Sequence, residues 1–276
     1  MQLALTENAW WGTSVDRVEG IKIAHEIGFD SYAIFTQDVQ GRSFTPEVKK
    51  QMRDAMNEFG FPCVSVCTIL NSMIDWNADI RKATIKWAKD QIDTGYDFGS
   101  KKMIVVPTEY LWEKAEVKPE VQWGYAVDAL RELGDYARSL GVEIGLESEP
   151  YKNNLINNID SQLSFLNAVG HASVKANVDF VHMHVVHDPP SSMQKLGDRI
   201  INVHLADTNG PNHAHYVPGS GVVPIREDLE VLKKIGSNPS IGIEIENLPE
   251  PEKIHYSVKQ AYEASAKIMD ELGVRG

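Results

Sequence analysis

Eight times in succession, a segment that reads as a buried strand is followed by one that reads as a helix. The strand-like runs are 2–7, 31–35 ("SYAIF"), 62–70 ("PCVSVCTIL"), 102–108, 142–148, 174–180, 201–207 and 241–246. Helical spacing fills the intervals at 14–27, 45–59, 77–97, 118–140, 159–169, 190–198, 225–236 and 254–272. In the first helix Val15, Val18, Ile21, Ala24 and Ile27 recur with helical period, and Gly28 supplies a stop. Thr45 suits an N-cap and Pro46 the first position of the second helix. Regular β/α alternation implies a parallel sheet. Eight such units in 276 residues match a single (β/α)8 TIM barrel, one domain spanning 1–276. An open doubly wound sheet is the competing architecture, but its nucleotide signatures are missing. No Gly-x-Gly-x-x-Gly follows the first strand, and no Gly-x-x-x-x-Gly-Lys-Ser/Thr occurs.

Barrel enzymes place their chemistry where strands end and βα loops begin. The last four predicted strands all end in carboxylate or imidazole groups: Glu147 and Glu149, Asp179 then His182, His204 and Asp207, Glu244 and Glu246. The first four end in less charged residues, among them Glu7, Thr68 and Thr108. Carboxylates converging on a poorly hydrated mouth repel one another, and a divalent cation removes that repulsion. An oxygen-rich set with one imidazole suits Mn2+ first, then Mg2+ or Co2+, better than a structural Zn2+ site. Such an ion can hold two neighbouring sugar oxygens as a Lewis acid while carboxylates move protons.

The segments "VEIGLE", "VKANVDFVHMH", "INVHLAD" followed by "PGSG", and "IGIEIE" resemble the metal-ligand segments of the xylose-isomerase-like TIM barrels, sugar isomerases and epimerases. The nearest likeness is to the D-tagatose 3-epimerase and D-psicose 3-epimerase branch. The barrel pattern covers the whole chain, and the specific motifs lie in strands five to eight. The resemblance implies metal ligation by Glu147, Asp179, His204 and Glu244. It implies that Glu147 and Glu244 are also the catalytic pair. One abstracts a proton next to a keto-sugar carbonyl, and the other returns a proton on the opposite face of a metal-stabilised enediolate. His182 matches the branch's substrate-contacting histidine. Glu149 and Glu246 share a strand face with their partners and are expected in an outer ring, Glu149 against substrate. The branch often forms dimers or tetramers, so a homo-oligomer is compatible with it.

Two positions depart from the branch. Asn153 stands where a Glu is usual, and Gly210 where an Arg is usual, in a longer loop that brings in His213 and His215. Both touch the substrate side, so glycosidic and cyclic keto sugars join the free ketohexoses as candidates. The same barrel also serves elimination, as in inosose or 3-dehydroshikimate dehydratases, or cleavage of a 3-keto C-glycoside. An endonuclease-IV-like hydrolase and a non-catalytic sugar-binding barrel complete the alternatives.

Other residues have plainer readings beside the functional ones. Buried carboxylates also occur in ion pairs with Lys or Arg. Six of the nine histidines fall between 182 and 215, and one or two of His184, His187, His213 and His215 are expected in the pocket. Trp10, Trp11 and Trp112 follow strands one and four; Trp112 is the candidate aromatic wall for a sugar face, and core packing is the alternative. Cys63 and Cys67 share one strand, about 13 Å apart at about 3.3 Å per residue, too far for a disulfide. A net charge of −12 without any Lys/Arg-rich run argues against nucleic-acid partners. The N-terminus lacks the features of a signal peptide, and no apolar run has membrane-spanning length, so the cytoplasm is the expected compartment and no membrane partner is expected.

Overall fold

The computed structural model describes residues 1–37, 44–70, 72–107, 117–246 and 250–276. Strands β1 (Leu3–Thr6), β2 (Ser31–Phe35), β3 (Cys63–Leu70), β4 (Lys102–Pro107), β5 (Glu143–Leu146), β6 (Val174–Asp179), β7 (Ile200–Leu205) and β8 (Ser240–Ile243) pair in chain order, and β8 closes on β1. Every pairing is parallel. Helices α1 (Arg17–Ile27), α2 (Pro46–Phe59), α3 (Ala78–Asp97), α4 (Pro119–Ser139), α5 (Ile159–Val169), α6 (Phe180–Val185), α7 (Ile225–Ile235) and α8 (Ile254–Leu272) follow the strands in turn. The helix ends obey local chemistry. Thr45 and Asn158 cap α2 and α5 through their side chains, and Gly28, Gly60, Gly170 and Gly236 end helices in the left-handed conformation. No described helix is long and apolar enough to cross a membrane.

Alternation along the strands sorts two faces. Leu3, Leu5, Tyr32, Ile34, Val203, Leu205, Ile241 and Ile243 pack with helix residues such as Ile21, Met52, Ile92, Leu130 and Phe165 in one buried cluster. Residues between them point inside the barrel. There Ala33, Phe35, Cys67 and Ile104 form a small apolar plug with Trp11. Polar interior residues are hydrogen-bonded in series. Lys102 Nζ donates to Ser240 Oγ, Ser240 Oγ to Asn202 Oδ1, and Asn202 Nδ2 to Asn177 Oδ1. The series leads towards the ends of β6 and β7. Gly145 and Gly242 share this inner face with the Glu two residues later. A Cβ on Gly145 would stand 2.9 Å from Ile104 Cδ1, and one on Gly242 the same distance from Thr6 Cγ2. Both contacts are too close, so the interior is narrow here.

The loop between β7 and α7 is organised by one carboxylate. Buried Asp207 accepts from the backbone N–H of Thr208 and Val223 on Oδ1 and of Gly219 and Gly221 on Oδ2. A bridge to Tyr216 closes the loop. A Cβ on Gly221 would lie 2.1 Å from Thr208 O. The "LAD…PGSG" pattern is thus a loop-closing device.

Two differences from the expected elements have local causes. The 190–198 segment forms two short 3-10 turns, Pro190–Lys195 and Gly197–Arg199, with Gly197 at positive φ interrupting them. The short helix α6 was not expected; Asp179 starts it by accepting from His182 N at 2.7 Å.

Glu7, which opens the 3-10 turn after β1, pairs with Arg17 at 2.7 Å, both buried, and also accepts from Phe35 N. Arg17→Met breaks this buried pair and is expected to destabilise the barrel, read by urea denaturation. Gly221→Ala is expected to leave the barrel folded while accelerating amide exchange at Gly219 and Val223. Unchanged exchange there would contradict the closing role of Asp207.

Candidate metal centre

Glu147 follows β5 directly, Asp179 ends β6, His204 lies inside β7, and Glu244 follows β8. All four are buried, and each offers a ligand atom within 4.8 Å of the others. His204 Nδ1 stands at the centre, 3.1 Å from Glu147 Oε1 and 2.8 Å from Glu244 Oε2. Asn177 Nδ2 reaches the same nitrogen at 3.2 Å. Since Asn177 Oδ1 already accepts from Asn202, its amide nitrogen faces His204 as a donor. Nδ1 therefore stands among one amide donor and two carboxylates, while Nε2 faces Cys67 Sγ at 3.9 Å. Both cysteines are free and buried, and burial pushes the Cys67 thiol up.

The electrostatics are those of a site short of positive charge. Burial pulls the His204 imidazole down, but the Glu147 and Glu244 charges win and hold its proton well above the ordinary range. Burial pushes Asp179 up, and the charges on His182 and His215 outweigh it and pull it well below. Among the described residues, Glu147 Oε2 is buried with no hydrogen-bond partner. An orphaned carboxylate oxygen beside converging acceptors fits a divalent cation. Asn8, in the turn after β1, donates to Glu244 Oε1 at 3.0 Å and fixes that carboxylate.

Around this set lies a second ring. Glu246 Oε1 accepts from His215 Nδ1 at 3.1 Å, and His215 Nε2 faces Asp179 Oδ2 at 3.2 Å. His182 donates through Nδ1 to Ser148 O at 2.7 Å, and its Nε2 lies 2.8 Å from His213 Nε2. Glu149 is buried nearby. Burial pushes its carboxyl up to about 7; His182 opposes the shift, and the Glu147 and Asp179 charges add to it. His213 and His215 thus join the mouth, whereas His184 and His187 belong to neither cluster of candidate ligands. Trp112 lies outside the described residues. Trp10 is core, donating to the Tyr32 hydroxyl, and Trp11 packs edge-on against Phe35 in the interior plug. The sequence reading missed Asn8, Asn177 and Cys67. Asn177 had a usable signal, two residues before Asp179 on the same strand face; Asn8 lies in an irregular turn and had none.

Comparison with known proteins places this geometry in context. The fructoselysine 3-epimerase of Shigella flexneri is 27% identical over 216 residues, 74% of this chain and 76% of that protein. The D-psicose 3-epimerase of Clostridium cellulolyticum H10, solved with D-tagatose, superposes with a TM-score of 0.81 over 100% of both chains at 19% identity. The IOLI protein, solved with a binding zinc atom, superposes with a TM-score of 0.82 at 21% identity, covering 98% of this chain and 99% of that one. These two structures share the fold. The family model described as xylose isomerase-like TIM barrel matches residues 21–272, nearly the whole barrel, and the chain belongs to that family.

Proposed function

We propose that this protein is a divalent-metal-dependent isomerase or epimerase of a keto sugar. The observation that carries the reading is the buried pair Glu147 and Glu244 converging on His204 Nδ1, with one Glu147 oxygen unsatisfied. Glu147, Asp179, His204 through Nδ1, and Glu244 would hold the ion, with Mn2+ first among the candidates and Mg2+ or Co2+ after it. When bound, such an ion supplies Lewis-acid polarisation of a carbonyl and its neighbouring oxygen.

The chain's own residues supply the proton transfers. Glu147 and Glu244 reach the mouth from β5 and β8, strands that are not neighbours in the barrel, so a sugar seated over them meets a carboxylate from each of two strands. One carboxylate removes the proton next to the carbonyl and leaves an enediolate. The other delivers a proton to the opposite face, which inverts the centre. Delivery to the adjoining carbon instead gives the isomer. Asn8 keeps Glu244 oriented for this through its bond to Oε1. Burial of both carboxylates keeps water from competing for the proton. His182 and Glu149 line the substrate side in this reading. The name of the Shigella relative, an epimerase of a sugar derivative, supports it. The cytoplasm is the compartment in which we place the activity.

One observation favours a second reading within the same chemistry. His213 and His215 enter the mouth on the loop where the epimerase branch carries an Arg, and His213 touches both His182 and Tyr151. Extra acid–base groups there suit loss of water or of an aglycone from a keto sugar derivative, a lyase outcome. Product NMR separates the two, since an unsaturated or released product marks elimination and a simple epimer or isomer excludes it.

The test is α-proton exchange of keto sugars in D2O. The Mn2+-loaded protein is expected to exchange a proton of at least one keto sugar in a panel of free and glycosidic forms. Glu147→Gln and Glu244→Gln are each expected to slow exchange by about 10^2- to 10^4-fold. Undiminished exchange in either variant contradicts the assignment of that Glu to proton transfer.

A further inference from the structure

Beside the oxygen-rich set, His182, His213 and His215 each offer a ring nitrogen within 4.8 Å of the others. Each ring is tied off on its Nδ1 side. His182 donates to Ser148 O, His215 donates to Glu246 Oε1, and His213 Nδ1 lies 2.5 Å from the Tyr151 hydroxyl. Each ring therefore turns its Nε2 into the cluster, away from those outer partners. Two of these Nε2 atoms, on His182 and His213, face each other at 2.8 Å, and the third faces Asp179 Oδ2 at 3.2 Å. With no ion, protons hold these contacts together: one of the His182 and His213 Nε2 atoms donates to the other, and His215 donates to Asp179; a cation would take the place of those protons. Outer partners of this type, a carbonyl, a carboxylate and a hydroxyl, are what orient histidines that bind metal. His182 and His215 are buried, whereas His213 is half-buried, which leaves an approach from the barrel mouth.

We propose that His182, His213 and His215, with Asp179 Oδ2, form a second cation site that shares Asp179 with the first. Its composition is mostly imidazole and therefore suits Zn2+ or another borderline ion, unlike the oxygen-rich neighbour that suits Mn2+. The two sites are built on different segments. The first uses four strand ends, and the second uses α6 and the loop closed by Asp207. The second site shares Asp179 and takes the His182 Nε2 assigned above to the substrate side, and its occupancy does not depend on the activity proposed above.

The test counts ions in the intact protein, freed of metal with a chelator, titrated with Zn2+ and read by native mass spectrometry. The wild type is expected to bind two Zn2+ per chain, His213→Ala one, and Glu244→Gln one, held by the histidines. Tyr151→Phe keeps all ligands and is expected to bind two, the second about 10- to 100-fold more weakly. A thermal melt confirms that each variant is folded, and Tyr151→Phe carries the test if His213→Ala is not. One ion in the wild type that survives in His213→Ala overturns the second site and spares the first. One ion that is lost in His213→Ala supports the second site and removes the first. Two ions retained at unchanged affinity in either His213→Ala or Tyr151→Phe overturns the second site.

Discussion

Three carboxylates, Glu147, Asp179 and Glu244, are held within 4.8 Å of one another in the buried mouth of the barrel. At that spacing and an effective dielectric of about 20, each ionised pair repels by about 3.5 kcal/mol, and the three pairs together by about 10 kcal/mol. That is comparable to the entire net stability of a typical domain, about 5–15 kcal/mol. The charges on His204, His182 and His215 offset it only by keeping buried imidazoles protonated, itself costly. The arrangement is therefore expensive unless a multivalent cation is its normal partner, and this constraint shapes the structure around it.

The barrel carries the constraint through small, specific devices. Gly145 and Gly242 remove side chains from the inner face beneath the two carboxylates, where a methyl group would strike Ile104 or Thr6. The series from Lys102 through Ser240 and Asn202 to Asn177 links polar groups inside the barrel and aims a donor at His204. Asn177 and Cys67 leave His204 one nitrogen for the carboxylates. Asp207 spends its whole carboxylate on closing the loop that brings His213 and His215 to the mouth. Much of the hydrogen bonding of this end of the barrel thus serves to place acceptors, which is the opposite of what a neutral core would require.

Much of this was legible in the residues because the barrel repeats one rule. Period-two and period-3.6 patterns marked all eight strands and the long helices, and strand ends marked where polar groups would gather. The choice between Glu147 and Glu149, and between Glu244 and Glu246, was not legible from alternation, since both members of each pair share a face. It depended on likeness to the epimerase branch. The structure brings Glu147 and Glu244 into the central cluster and puts Glu246 behind His215. Loop geometry was the least legible. Helix α6 is too short to show periodicity, and the convergence of His182 with His213 depends on a turn closed by a carboxylate six residues before His213. Asn8 and Cys67 act across strands, through contacts that no local spacing encodes.

A crystal of the metal-stripped protein soaked in Mn2+, with anomalous diffraction recorded near the manganese edge, tests the role of the carboxylate cluster most directly. The expected result is a strong anomalous peak between Glu147, Asp179, His204 Nδ1 and Glu244, with Glu147 Oε2 drawn to the ion or hydrogen-bonded to one of its waters. A peak held by Glu149 and Glu246, or an ordered mouth with no peak at all, would contradict it.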